Sequence, residues 1–425
     1  MVYLILIIAL VIGLPIAFSI VGALIYFMAV GDFPYHLRLV STQMFAGISS
    51  FPLLAIPLFI LAGELMNESG ITRRVIAFAN VVVGRVREGL ALVNIWASVI
   101  FAGLSGSAVA DTSALGRIFI PEMEKQGYPR DFSAAVTAAS SVIGPIIPPS
   151  IPVIIYALTV TGVSVPALFA AGIVPGLLLA CSLSIYVVFF AGHHADASRM
   201  VFARSTTRAF LDGIIPLLMP VFVVGTILFG VVTPTEAASF AVAYALFVGI
   251  FLYREIKLSQ LPGIFARSMR DTSVILIIIS SVSAANWLLT YNRVPYYITE
   301  LVVGFVDARW TFLLAMIALF LFVGLFLEGI AAMLVLVPIV HPIAVSLGID
   351  PTHFGIVVIF NLMIGLITPP MGLCLFVADG IAHVGLARLT RQILPFFVVE
   401  VLVLFLITFI PDLVTFLPSI LGMMK

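Results

Sequence analysis

The chain runs to 425 residues, of which 62% are hydrophobic and only 9% charged, and its twenty basic and twenty acidic side chains cancel. That much apolar surface excludes a water-soluble globule of ordinary composition, and the even charge balance leaves no basic surface for nucleic acid. The chain reads as an integral protein of the lipid bilayer.

In chain order, apolar runs fall near 2–30, 50–67, 132–158, 165–193, 210–231, 234–253, 272–290, 353–383 and 393–417. Each reaches or approaches the roughly 20 residues a helix needs to cross hydrocarbon. The short alternating segments of a β-barrel are absent, so the class is an all-α polytopic membrane protein. The first run opens without a basic region or a small-residue cleavage site and is expected to be a retained span, followed by an outside connector to residue 49. Cys181 and Cys374 both lie in apolar runs without metal-ligand spacing, as small buried hydrophobes do.

Two more apolar segments, 90–124 and 310–346, have Gly-rich centres. Their tips are Gly103-Leu104-Ser105-Gly106-Ser107 and Gly324-Leu325-Phe326-Leu327-Glu328-Gly329. Non-helical backbone at membrane depth must be covered by protein or line a wet cavity, so these segments are expected to be re-entrant hairpins. The runs 132–158 and 353–383 are interrupted by Ile143-Gly144-Pro145-Ile146-Ile147-Pro148-Pro149 and Ile364-Gly365-Leu366-Ile367-Thr368-Pro369-Pro370, which start 221 positions apart. Proline lacks a donor and clashes with the preceding turn, so both are broken helices. Paired interruptions of this kind point to a transporter's binding site.

With 70–84 and 295–307 taken as surface helices and the N-terminus inside, sixteen Lys and Arg fall on the inside and only Arg38, Arg293, Arg309 and Lys425 outside. That asymmetry fits the positive-inside rule. The order span, surface helix, hairpin, broken span, span then occurs at 50–193 and, inverted, at 272–417. Phe101 with Phe322, Gly103 with Gly324, Pro121 with Pro342 and Gly127 with Gly348 match at the same offset. Between the repeats, 194–271 holds two central spans with basic connectors at 194–208 and 254–270, and 418–425 is a tail.

Each break strips helical partners from main-chain groups, at several kcal/mol per group left unpaired in hydrocarbon. A cation can replace those partners. Two symmetry-related sodium sites are expected, the first from Ser105, Gly106, Ser107, Gly144 and Ile147, the second from Gly324, Glu328, Gly329, Gly365, Thr368 and Met371. The duller alternative is that small residues and prolines only permit close crossing and kinks.

Asp111, with Thr112 beside it, is an acid at membrane depth and hence a functional candidate. It is placed to tune the cation site, to bind substrate hydroxyls, or merely to cap a helix. For an anionic substrate, the half-helices starting after the two breaks, after Pro149 at Ser150 and at Met371, would present free amides and a positive dipole end. Arg293 is a candidate to pair with a carboxylate or, equally, a snorkelling interfacial arginine. Glu64, Glu236, Asp379 and Glu400 stay unassigned as buried acids, and His193-His194 is not read as a metal site. No catalytic constellation or nucleotide-binding loop is present, so an enzyme is not expected.

The tip Gly103 to Ser107 followed by Thr112-Ser113, the break Ile147-Pro148-Pro149-Ser150, the break Thr368-Pro369-Pro370-Met371-Gly372 and the inverted order together resemble the large membrane subunit of tripartite ATP-independent periplasmic transporters. The resemblance covers nearly the whole chain and is nearest to the sialic-acid members. It implies an elevator-type ion transporter fold and sodium-coupled uptake of an organic acid across a bacterial inner membrane. It also implies two partners: a soluble periplasmic binding protein, and a small four-span subunit expected as a separate polypeptide. The rivals are a binding-protein-independent sodium/dicarboxylate cotransporter, whose tips carry Ser-Asn-Thr, and a membrane channel or enzyme.

Overall fold

A computed structural model describes residues 9, 12–30, 38–84, 86, 88–191, 206–305, 308–325, 327–369 and 372–424. Met371 of the second expected sodium site lies outside them, as do Pro370, Phe326, Arg85, Arg87, Arg199, Arg204, the His193-His194 pair and Lys425. The described residues form helices joined by short turns.

The frame opens with α1 (Ile16–Val30) and α2 (Arg38–Ile48), the latter a helix where the sequence reads as connector. Then come α3 (Ala55–Glu68), α4 (Ile71–Val83), a hairpin of α5 (Gly89–Ser105) and α6 (Ala108–Lys125), a broken helix of α7 (Arg130–Ser141) and α8 (Ile151–Thr159), and α9 (Val165–Phe189). After α10 (Thr206–Leu228) and α11 (Pro234–Phe247) the same order returns. It runs α12 (Leu261–Tyr291), α13 (Val294–Phe305), a hairpin of α14 (Arg309–Gly324) and α15 (Gly329–Ser346), a broken helix of α16 (Pro351–Gly365) and α17 (Leu373–Ala382), and α18 (Leu386–Phe409). A short α19 (Asp412–Ile420) follows. Six stretches among the described residues are long and apolar enough to cross a bilayer; one of them, Gly329–Ser346, is a hairpin arm.

Local chemistry sets the helix starts. Asp350 accepts from the amides of Thr352 and His353 at 2.9 Å each, and Ser164 from Ala167 at 3.2 Å, satisfying donors that no helical carbonyl reaches. Thr233 and Glu236 close a capping box on α11, so Glu236 is an exposed cap rather than a buried acid. Asp379 likewise accepts from the amides of Val384 and Gly385.

Three further sequence expectations need correction. The 254–270 connector is helical from Leu261, because Pro262 sits in the first turn, where proline is tolerated. The last apolar run, 393–417, is interrupted: α18 starts at Leu386 and ends at Phe409, Pro411 follows, and α19 packs against α9 and α16. Cys374 is buried, but Cys181 is exposed, facing outward from α9.

Packing gathers the hairpins and the broken helices into one body, against which the frame helices lie. Both hairpins rest on the first half of their own broken helix, α5 and α6 on α7, α14 and α15 on α16. The two units join through α6 and α7 against α17, α18 against α7, and α8 against α15. Polar bonds pin them in the apolar interior, where an unpaired group is expensive. Asn94 Nδ2 donates to Thr137 Oγ1 at 2.7 Å, Ser98 to Ser140 at 2.9 Å, and Asn361 Nδ2 to the Ile317 carbonyl at 3.2 Å. Tyr156 of α8 donates to the Pro351 carbonyl at 3.3 Å and lies 3.2 Å from His341 Nδ1 of α15. At the base of the first hairpin, burial and the neighbouring Glu88 carboxylate push the Tyr128 phenol pKa upward.

The frame is built on α3 and α12, which pack on each other, with α11 against α3 and α1 and α2 against α12. One end of it is knotted by charge. Glu255 accepts from Arg73 at 2.8 Å and Arg74 at 3.0 Å, the Arg74 guanidinium stacks 3.5 Å from the Tyr253 ring centre, and Arg267 reaches Glu64 at 3.1 Å.

Candidate ion and substrate site

Each tip meets the break of its own repeat, backbone against backbone. Gly106 ends α5 at φ 60°, a conformation that glycine adopts freely, and a Cβ there would sit 2.8 Å from the Pro149 carbonyl oxygen. In the second repeat a Cβ on Gly365 would sit 2.9 Å from the Gly324 Cα. Only residues without side chains permit either approach. Gly329 packs on Leu362 and Met363 of α16.

The first pair holds a carboxylate. Asp111, in the first turn of α6, is fully buried; one of its oxygens accepts from the Ser105 hydroxyl, and Oδ2 has no hydrogen-bond partner. That carboxylate lies against Gly144, where any Cβ would collide with it. The Ser107 amide donates to Ser105 Oγ at 3.2 Å, which folds the tip back over the acid. Ile147, three residues on from Gly144, packs its side chain against Gly176 of α9. A desolvated carboxylate oxygen without a donor is a place for a cation.

The second pair is built of main chain. Thr368 donates to the Ile364 carbonyl at 2.8 Å, and Glu328 caps α15 by accepting from the Ala331 amide at 3.1 Å. No cluster of three His, Cys, Asp or Glu side chains exists among the described residues.

Between the two tips and the frame opens a cavity of about 390 Å³. The wall formed by the hairpins and broken helices includes Ser105, Ser107, Ser113, Pro145, Ile151 and Glu328; the frame supplies Asn67, Glu64 and Asp271. The first turns of α6 and α8, at Val109 and Ala110 and at Ile151 and Pro152, aim the positive ends of their dipoles into it. None of its lining residues is a Lys or Arg.

The residues expected to touch substrate are placed differently. Asp111 and Thr112 stand behind the tip, Thr112 bonding the Ala108 carbonyl at 2.8 Å, and neither lines the cavity. Ser150 is turned inward, donating to the Pro145 carbonyl and capping α8, with Pro149 pressed against Gly106. Arg293 sits at the α12–α13 turn at φ 54°, exposed. It follows Asp271 by 22 residues (293 − 271), about 30 Å along a helix rising ~1.5 Å per residue, so the structure does not bring it to this cavity. Asn67 and Asp271 escaped the sequence because they lie on unbroken helices of the frame. Their only trace is a polar residue at the basic end of a span.

Residues 3–413 match the family model described as the tripartite ATP-independent periplasmic transporter, DctM component. The chain belongs to the DctM family. Among its DctM relatives, a sialic acid TRAP transporter large permease protein of Vibrio cholerae is 38% identical over 413 residues, 96% of this chain and 95% of that one. A C4-dicarboxylate TRAP transporter large permease protein of Rhodobacter capsulatus is 35% identical over 427 residues, covering 97% and 96%. The fold of this DctM chain is shared by the YdaH transporter of Alcanivorax borkumensis, at a TM-score of 0.63 and 16% identity over 88% of both chains. The large permease is thus a multi-pass membrane protein whose relatives are named as transporters of different organic acids.

Proposed function

We propose that this permease couples the inward flow of sodium to uptake of an organic acid across a bacterial inner membrane, with the hairpins and broken helices moving as a body against the frame. The observation that carries the reading is the meeting of tip and break in both repeats, with an unpartnered, buried Asp111 oxygen at the first. One sodium ion lies among Ser105, Gly106, Ser107, Gly144 and Ile147, with Asp111 as its charge partner; a second lies among Gly324, Glu328, Gly329, Gly365 and Thr368, with Met371 completing the set. The substrate carboxylate is received without a basic side chain, by helix dipoles and the two cations, while Asn67, Ser107 and Ser113 meet its hydroxyls.

The basic end of the frame is cytoplasmic by the positive-inside rule, so the large cavity faces the cytoplasm. Loading from outside is the task of a soluble periplasmic binding protein, and a small four-span subunit braces the frame. Among organic acids, sialic acid is the cargo favoured by the motifs and by the Vibrio relative.

The test is uptake in proteoliposomes containing the chain, a small subunit and a binding protein. Labelled substrate should accumulate only with an inward sodium gradient and the binding protein present. Equal accumulation driven by a proton gradient alone overturns the ion assignment.

A further inference from the structure

A second cavity, of about 200 Å³, lies on the same seam between the two bodies, toward the opposite end of the molecule. The same helices wall both. From α12, Asp271 and Ile275 face the large cavity, and Ile279, Val282, Ser283 and Asn286 face the small one. From α8, Ile151 and Pro152 face the first, Ile155 and Thr159 the second; from α15, Ile330 faces the first and Leu334 the second. The α12 positions 271, 275, 279, 282 and 286 recur at the spacing of one helix face. That face is therefore a continuous track, polar at both ends and apolar in its middle.

The ends differ in charge. At the large cavity the frame shows the Asp271 carboxylate, beside Glu64, which Arg267 pairs at 3.1 Å; at the small one it shows neutral groups, Ser50, Ser283 and the Asn286 amide, which makes a long 3.5 Å contact with the Leu334 carbonyl. We infer that the small cavity is the outer half of the substrate path, where Ser283 and Asn286 hydrogen-bond an organic anion held at the tips before the tips slide inward. The slide from Ser283 to Ile275 is eight residues (283 − 275), about 12 Å at ~1.5 Å per residue. Travel carries the anion from neutral donors to the Asp271 carboxylate. Repulsion there favours its release inward. The inference rests on the transport reading above and adds the residues of the outer station.

The experiment has two arms in the reconstituted complex. Asn286→Asp places a carboxylate at the outer station; the KM for uptake should rise at least roughly tenfold while the sodium dependence is unchanged. In a C181A/C374A background, the pairs V109C with I275C and V109C with S283C should both form disulfides during turnover, each arresting uptake until reduced. An unchanged KM for N286D, or persistent uptake with no V109C–S283C disulfide, overturns the outer station. Absence of uptake by the unsubstituted complex overturns instead the transport reading beneath it.

Discussion

Asp111 shows how one side chain is legible in kind and illegible in place. An acid in an apolar hairpin is conspicuous in the sequence, yet its burial behind the tip, bonded to Ser105 and turned toward Gly144, depends on a break more than thirty residues away. Asp111→Asn keeps the volume and removes the charge. Uptake at limiting sodium should fall on the order of tenfold, about 1.4 kcal/mol, with surface expression retained. Sodium activation curves identical to the unsubstituted chain would remove Asp111 from the ion site. Gly144→Ala tests the same spot from the other side, since its Cβ enters the carboxylate's space; sodium affinity should drop while the fold survives. Asn67 and Asp271 were not legible, because a polar residue near the end of a span has many explanations and only the closed seam selects one. Arg293 was visible for its charge, which says nothing about distance.

At the scale of helices, the features that sequence disclosed were those that need special residues. The Pro-Pro pairs and Gly-rich tips mark their own positions because regular helix cannot hold them. The end of α18 and the existence of α2 were hidden, as apolarity alone does not distinguish a helix that stops from one that continues. The crossing of Gly324 and Gly365 makes the element-level prediction. Gly365→Ala should destabilise the purified protein by about 1–3 kcal/mol, the usual range for overpacking a tight contact, read as a lowered melting midpoint in detergent. Gly380→Ala, where nothing lies within 4 Å of the new Cβ, should be neutral or slightly stabilising. Equal behaviour of the two variants would mean that the Gly324–Gly365 approach is not tight in the membrane.

For the whole molecule, the distribution of Lys and Arg, a property of loops that needs no tertiary knowledge, predicts that the two repeats are inverted in the membrane. Lys125 and Ser346 end the second arms of the two hairpins at equivalent positions, and Lys125→Cys should react with an impermeant maleimide only from the cytoplasm, Ser346→Cys only from outside. Labelling of both from one side rejects the inverted arrangement. The cargo stayed illegible, because a cavity walled by hydroxyls, dipoles and carboxylates accepts a chemical class rather than one molecule. The bond between Tyr156 and His341 has a wider meaning. It staples the half-helix after the first interruption to an arm of the opposite hairpin, adding a polar contact to the helix packing between the two repeats. On the transport reading proposed above, a join of this kind would carry both tip–break pairs as one piece, so that the two proposed ion sites would change sides together.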